Sequence, residues 1–239
     1  MNVSDTNGSL YLVSTPIGNL EDISMRAIRI LGEVDIVAAE DTRRTGLLLS
    51  HYNIKNRLES YHDHNKVQKT PFLLKQLSAG QSIAVVSDAG TPGISDPAYY
   101  LVRHAIDMGI SPIPVPGATA VAAALVVSGL PTDRFVFEGF LPHKKGRQTK
   151  LRQLAEEPRT IVLYESPHRL LKTLSEIRDT VGDRQIALCR ELTKKFEEIV
   201  RGTISEVVDI FSKKRIRGEF VLIIKGKTKH HDKKIQSEK

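Results

Sequence analysis

Three loops rich in Gly and Pro carry the kind of groups that line a pocket for a small polar ligand. Residues 14–20 read STPIGNL, residues 87–97 read SDAGTPGISDP and residues 115–120 read VPGATA. Glycine lets backbone N–H and C=O groups approach a ligand closely, and Asp88 and Asp96 place carboxylates at both ends of the middle loop. An Asp in such a loop is also an ordinary acceptor for nearby backbone N–H groups, so Asp88 has a ligand role and a turn-capping role open to it. Glu40 and Asp41 stand just before Arg43 and Arg44. The acids suit proton transfer and the guanidinium groups suit phosphate, although Asp41 equally suits the N-cap of a helix. His62, Asp63 and His64 form a further polar cluster, and imidazole titrates near neutrality. Glu165 completes the candidate proton acceptors.

Other chemistries find no support. There is no G-x-G-x-x-G after the first strand, no G-x-x-x-x-G-K-[ST] and no G-x-S-x-G. The single cysteine, Cys189, excludes an internal disulfide and a cysteine-cluster zinc site. His62 with His64, and His230 with His231, lack further ligands at metal-binding spacing, so no metal is expected.

The elements that must hold these loops alternate between strand and helix. Strands are predicted over 10–14, 35–39, 83–87 and 110–115, and helices over 25–31, 67–77, 97–108 and 118–127. Residues 57–65 are polar and read as a loop. The alternation argues for an α/β layer structure with a largely parallel sheet, and in such sheets ligands bind outside the carboxyl ends of the strands. Gly129 to Thr132 breaks the pattern. Beyond it, strands are predicted over 135–139, 160–164, 185–190, 196–202 and 219–225, with one apolar helix face at Leu170, Leu174, Ile177 and Val181. Five strands with few helices suggest a mixed, partly antiparallel second sheet. The expected organisation is an N-terminal α/β domain over 1–125, a C-terminal α/β domain over 126–226 and a basic, disordered tail over 227–239. No internal repeat is present.

Charge separates the halves. Residues 1–142 carry 11 Lys and Arg against 14 Asp and Glu, whereas residues 143–239 carry 24 against 14. Lys144, Lys145, Arg147, Lys150 and Arg152 form one basic run, and Lys213, Lys214, Arg215 and Arg217 another. Such runs are the footprint of phosphate-backbone binding, or of a solvated face. No run approaches the ~20 apolar residues that span a bilayer. Residues 1–8 lack the basic-then-apolar pattern of a secretory leader. A cytoplasmic protein is expected.

The middle loop, SDAGTPGISDP, resembles the signature of the ribosomal RNA small subunit methyltransferase I family, in the tetrapyrrole-methylase superfamily of class III methyltransferases. The likeness continues through LYLVSTPIGNLEDI, VAAEDTRRTGLLL, HDHN, VPGATA, GLPTDRFVFEGFLP, YESPHRL, RELTKKFEE and GEFVLIIKG, in order, over most of residues 10–226. Ala98 stands where the family usually has Gly, and the chain ends soon after Gly226 where some members continue with a helical segment.

The resemblance implies two α/β domains with a cleft between them for S-adenosylmethionine. It also implies methylation of a cytidine 2′-oxygen in the decoding region of small-subunit 16S ribosomal RNA, and a homodimer. By position in the superfamily, the donor site would involve Pro16, Ile17, Asp88, Thr91, Ile94, Thr119 and Ala120, joined by Tyr164, Leu188, Glu219 and Phe220. Asp41, Glu40 and His62 are the candidate catalytic residues. Arg43, Arg44, Lys144, Lys145, Arg147 and Arg169 are the candidate RNA contacts. A sister enzyme acting on a tetrapyrrole or corrin, a methyltransferase acting on a translation-factor protein, and an RNA-binding module without catalysis are the alternatives.

Overall fold

The structure is a computed structural model and describes residues 7–228. The chain forms two compact units, Met1–Thr119 and Ala120–Lys239.

The first unit is built on five parallel strands: β1 (Leu10–Val13), β2 (Ile36–Ala39), β3 (Leu58–Ser60), β4 (Ile83–Val86) and β5 (Ile113–Val115), in the order β3-β2-β4-β1-β5. Side chains alternate across a strand, and these strands are apolar on both faces. Leu10, Ile36, Ala38, Ile83 and Val85 pack on one face with α3 (Lys66–Ser78) and α4 (Ala98–Asp107). Val13, Val37, Ala39, Ala84 and Val86 pack on the other with α1 (Met25–Glu33) and Leu49 of α2 (Thr42–His51). Neighbouring β1 and β4 therefore send their chains to opposite faces, through α1 and α4. That reversal opens a crevice at the carboxyl end of the sheet, the usual ligand position in open α/β sheets.

The second unit begins with α5 (Ala120–Ser128) and continues through β6 (Phe135–Phe140), α6 (Arg147–Glu156), β7 (Thr160–Glu165), α7 (Leu170–Val181), β8 (Gln185–Arg190), β9 (Glu198–Thr203), α8 (Ile204–Ser212) and β10 (Phe220–Ile224). Its sheet runs β6-β7-β10-β8-β9, with β6 and β7 parallel and the remaining pairs antiparallel. The alternate residues Phe220, Leu222 and Ile224 of β10 join Leu151 and Leu154 of α6, the predicted face of α7, and Val207 and Phe211 of α8 in one core.

Several sequence expectations differ from this architecture. Residues 57–65 contain β3, a short edge strand paired only with β2, whose LES sequence has no alternating apolar pattern. The second half holds α6 and α8 besides α7 and α5, so it is richer in helix than expected. The units divide at Thr119/Ala120, where the sequence reading put 125/126, because α5 packs on β8 and β10. The expectation of a disordered tail falls almost wholly outside the described residues.

Candidate functional site

The three Gly/Pro loops meet at the carboxyl ends of β1, β4 and β5. Thr15 and Gly90 exchange both backbone hydrogen bonds, at 2.9 and 3.1 Å. The Ser14 and Thr91 hydroxyls are 2.9 Å apart, and Thr91 Oγ1 donates to the Ala118 carbonyl at 3.2 Å. Gly90 sits at φ +86°, a conformation that favours glycine. A Cβ on Gly117 would lie 2.9 Å from Ser14 Cβ, so this loop pair closes only around glycine. The short polar residues and glycines of the sequence thus have one role in common: they lock three loops into one wall.

A cavity of about 220 Å³ opens beside this wall, lined by Thr15, Pro16, Arg44, Leu47, Ser87 and Asp88, among others. Asp88 Oδ1 is buried there without a hydrogen-bond partner, while Oδ2 faces Arg44 Nη1 at 3.3 Å. A buried unpaired carboxylate oxygen is costly, and a ligand hydroxyl or ammonium would satisfy it. Pro16 is half-buried and Ile17 buried, so Ile17 supports the wall from behind, 3.4 Å from the position a Gly90 Cβ would take. Ile94 is 39% exposed, and Thr119 and Ala120 are half-buried.

The acids beside the cavity separate by environment. Glu40, at the end of β2, accepts a hydrogen bond from the Asp88 N–H at 3.3 Å. Burial, together with the neighbouring carboxylates of Asp88, Asp96 and Asp63, raises its pKa above the ordinary range against the pull of that bond. Asp41 is held far below it by hydrogen bonds from the Arg43 side chain and amide. Its carboxylate caps α2 through the Arg43 N–H at 2.9 Å and pairs with the Arg43 guanidinium at 2.8 and 3.1 Å. Asp41 is therefore a helix cap and an ion-pair partner, and a weak base. Asp96 is fastened to the Gly93 and Ala98 amides. His62 lies just past β3, its Nδ1 buried and unpartnered, with the His64 ring edge-on at 6.0 Å.

In the second unit, Tyr164, Leu188, Glu219 and Phe220 lie on or beside the neighbouring strands β7, β10 and β8. Tyr164 is half-buried against Phe137 and Phe140, and burial pushes its phenol up to about 12, too high for a base at neutrality. Glu219 is exposed and pairs with Lys194 at 3.1 Å. Leu188 and Phe220 are 0% and 2% exposed and belong to the core under the helices. Their side chains are core groups, so what either position offers a ligand is its backbone.

Two more expectations are corrected by burial. The Arg147 guanidinium is not an RNA contact: it donates to Glu176, the Pro142 carbonyl and Thr173 at 2.7, 3.0 and 2.8 Å, and its side chain is 7% exposed. Glu165 is not a base: it is 2% exposed and accepts from Thr173 Oγ1 at 2.6 Å. Arg169 holds the Leu141 carbonyl at 2.7 Å and His143 at 3.2 Å, which makes it a brace for residues 141–143. Lys144 and Lys145 are exposed, as are Arg43 and Arg44. The sequence reading missed Thr45, Leu47 and Leu48 on α2 as cavity residues. Leu47 is 75% exposed on a helix whose core side chains are Thr45 and Leu49, but in the sequence it is one of three consecutive leucines, 47–49, and nothing there sets it apart.

No group of three or more metal-ligating side chains converges among the described residues, and no described helix is long and apolar enough to cross a membrane.

Residues 9–208 match the family model described as Tetrapyrrole (Corrin/Porphyrin) Methylases. The chain is 54% identical over 223 residues to the ribosomal RNA small subunit methyltransferase I of Synechocystis sp., covering 92% of this chain and 80% of that protein. It is 50% identical over 237 residues to the protein of that name from Pasteurella multocida, covering 98% and 84%. Among solved structures it resembles uroporphyrin-III C-methyltransferase from Thermus thermophilus complexed with S-adenosylhomocysteine, with a TM-score of 0.65, 23% identity and coverage of 91% and 97%. Cobalt precorrin-4 methyltransferase gives a TM-score of 0.68 at 21% identity, covering 91% and 94%. At such identities the structures speak for the fold alone.

Proposed function

The chain belongs to the tetrapyrrole methylase family and, within it, to the ribosomal RNA small subunit methyltransferases I; from that premise we propose that it methylates the 2′-oxygen of a cytidine in the decoding region of small-subunit ribosomal RNA. It is an S-adenosylmethionine-dependent ribosomal RNA methyltransferase. The cytidine 2′-oxygen follows from the family membership; what supports a hydroxyl acceptor is an acid, Glu40, held by the Asp88 amide beside the cavity at the carboxyl end of the first sheet.

The donor fits what the first unit offers. Asp88 Oδ1 lacks a donor partner, and S-adenosylmethionine carries hydroxyl and ammonium groups that supply one. Pro16, Thr91, Ile94, Thr119 and Ala120 lie on or flank the same loops. When bound, S-adenosylmethionine supplies an electrophilic methyl group.

The protein must orient the acceptor, exclude water and take one proton. Glu40 takes it from the ribose 2′-hydroxyl, its proton affinity raised by burial and by the carboxylates of Asp88, Asp96 and Asp63. His62 stands second in line. Arg43, Arg44, Lys144 and Lys145 bind the phosphates of the substrate, for which their exposed guanidinium and ammonium groups are suited. The protein acts in the cytoplasm on the small ribosomal subunit, as a homodimer; sedimentation velocity tests the last point.

The test is transfer of labelled methyl to small subunits that lack the modification, and separately to their naked RNA, followed by digestion to nucleosides. Label in 2′-O-methylcytidine supports the reading. Label on a base, or on protein, overturns the 2′-oxygen assignment.

A further inference from the structure

At the end of the second sheet where β8 and β10 meet, residues 191–197 form a loop that bends sharply between Arg190 of β8 and Glu198 of β9. Glu191 and Thr193 adopt left-handed backbone conformations at φ 49° and 66°, a strained choice for residues with a Cβ. Side chains hold the bend. Glu191 Oε1 accepts from the Glu219 amide at 3.0 Å and from Lys194 Nζ at 2.9 Å, and Glu197 accepts from the Thr193 amide at 2.6 Å. What the bend presents is Lys195 and Phe196. Phe196 is 66% exposed, and Lys195 Nζ lies 5.8 Å from its ring centroid.

A basic run is fastened to the same loop. Arg190 donates to the Arg217 carbonyl at 2.8 Å, and Lys214 pairs with Glu198. Lys213 and Arg215 are exposed and have no acidic partner among the described residues. Glu219, a donor-site candidate, closes the loop from β10. An exposed aromatic ring with Lys195 against it, on a bent loop whose flanks are fastened to a basic run, has the chemistry of a single-stranded nucleic-acid platform, in which the ring stacks a base and the cations take phosphates. A protein partner would call for a less charged surround, since lysine is depleted at protein interfaces.

We propose that Phe196, presented by the bent loop 191–197, stacks an unpaired base of the RNA substrate while Lys195, Lys213 and Arg215 bind the adjoining phosphates. The inference rests on the RNA reading of the function. Phe196 is here a positioning residue, so its effect falls on substrate binding.

Methyl transfer to unmodified small subunits separates the outcomes, with KM and kcat measured independently, donor affinity by equilibrium dialysis and folding by circular dichroism. Phe196→Leu is expected to raise KM about tenfold at unchanged kcat and donor affinity, and Phe196→Trp to restore it. Replacing Lys213 and Arg215 by Glu is expected to raise KM and weaken its salt dependence. An unaltered KM in Phe196→Leu overturns the platform while leaving the methyltransferase reading intact. A shift of Phe196→Leu to a smaller sedimenting species overturns it in favour of contact between copies. A wild-type protein that methylates no RNA overturns the functional reading, and the platform with it.

Discussion

The Asp88 amide donates to Glu40 Oε2 at 3.3 Å, tying the carboxyl end of β4 to that of β2, its neighbour in the sheet. The bond steadies an acid whose surroundings otherwise resist its ionisation, because burial and the carboxylates of Asp88, Asp96 and Asp63 all favour its protonated form. Asp41, the next residue, is driven the opposite way by Arg43. Two adjacent acids are thereby given different chemistry, a division that recurs wherever catalysis needs one of a pair.

Glu40→Gln is expected to lower kcat about 100-fold, the lower end of general-base contributions, with donor affinity unchanged. The wild-type rate falls as pH drops through the raised pKa of Glu40, so its acidic limb lies above the ordinary carboxylate range. Stability runs the other way. A carboxyl more basic in the folded chain than in the unfolded one takes up protons on folding, so its ionised form costs stability at high pH. Glu40→Gln should therefore raise Tm at pH 8, and the gain should shrink as pH falls through the raised pKa of Glu40 and vanish below the unfolded value near 4. Calorimetry across that range checks the sign.

Asp41 yields a different pattern. Asp41→Ala removes the cap of α2 and is expected to lower Tm by about 3 °C, while Asp41→Asn keeps an accepting oxygen and loses less. The stability supplied by the Asp41 carboxylate is present above its unfolded pKa near 4 and is lost as pH falls through its depressed folded value. Neither variant should change kcat in the folded protein. A kcat loss in Asp41→Asn comparable with that of Glu40→Gln would move the base to Asp41.

Lys144 and Arg147 stand three residues apart in one basic run, yet their variants should behave oppositely. Arg147→Met leaves Glu176 without its main cation and Thr173 without its donor, for a loss of about 3 kcal/mol in urea unfolding, with the RNA salt dependence intact. Replacing Lys144 and Lys145 by Glu should leave unfolding nearly unchanged. The slope of log affinity against log salt should then fall by about 1 to 2, as expected when phosphate contacts are removed.

Much of this arrangement is legible in the sequence where local rules govern it. The apolar strands β1, β2 and β4 announce themselves by composition, the α7 face by its spacing, and the three loops by Gly and Pro. Edge strand β3 stays hidden because pairing with β2 alone places it. Helix α6 stays hidden because its exposed face carries so much charge. Arg147 looks like its basic neighbours in the chain, and only the fold brings Glu176 and Thr173, 29 and 26 residues away, against it. The difference between Glu40 and Asp41 is likewise tertiary: Asp88, which both binds and opposes Glu40, lies 48 residues along.

Asp88 itself offers the most discriminating variant. Asp88→Ala deletes the carboxylate but keeps the amide, so the hydrogen bond to Glu40 survives. Loss of the unpartnered Oδ1 should weaken S-adenosylmethionine binding by about tenfold, the worth of one hydrogen bond to a charged group, as read by calorimetric titration. The same change removes one of the negative charges that raise the proton affinity of Glu40. The acidic limb of kcat should then move to lower pH, whereas a residue that touched only the donor would leave that limb in place. Unchanged donor affinity would take Asp88 out of the donor site, and an unmoved limb would separate its charge from the proton transfer.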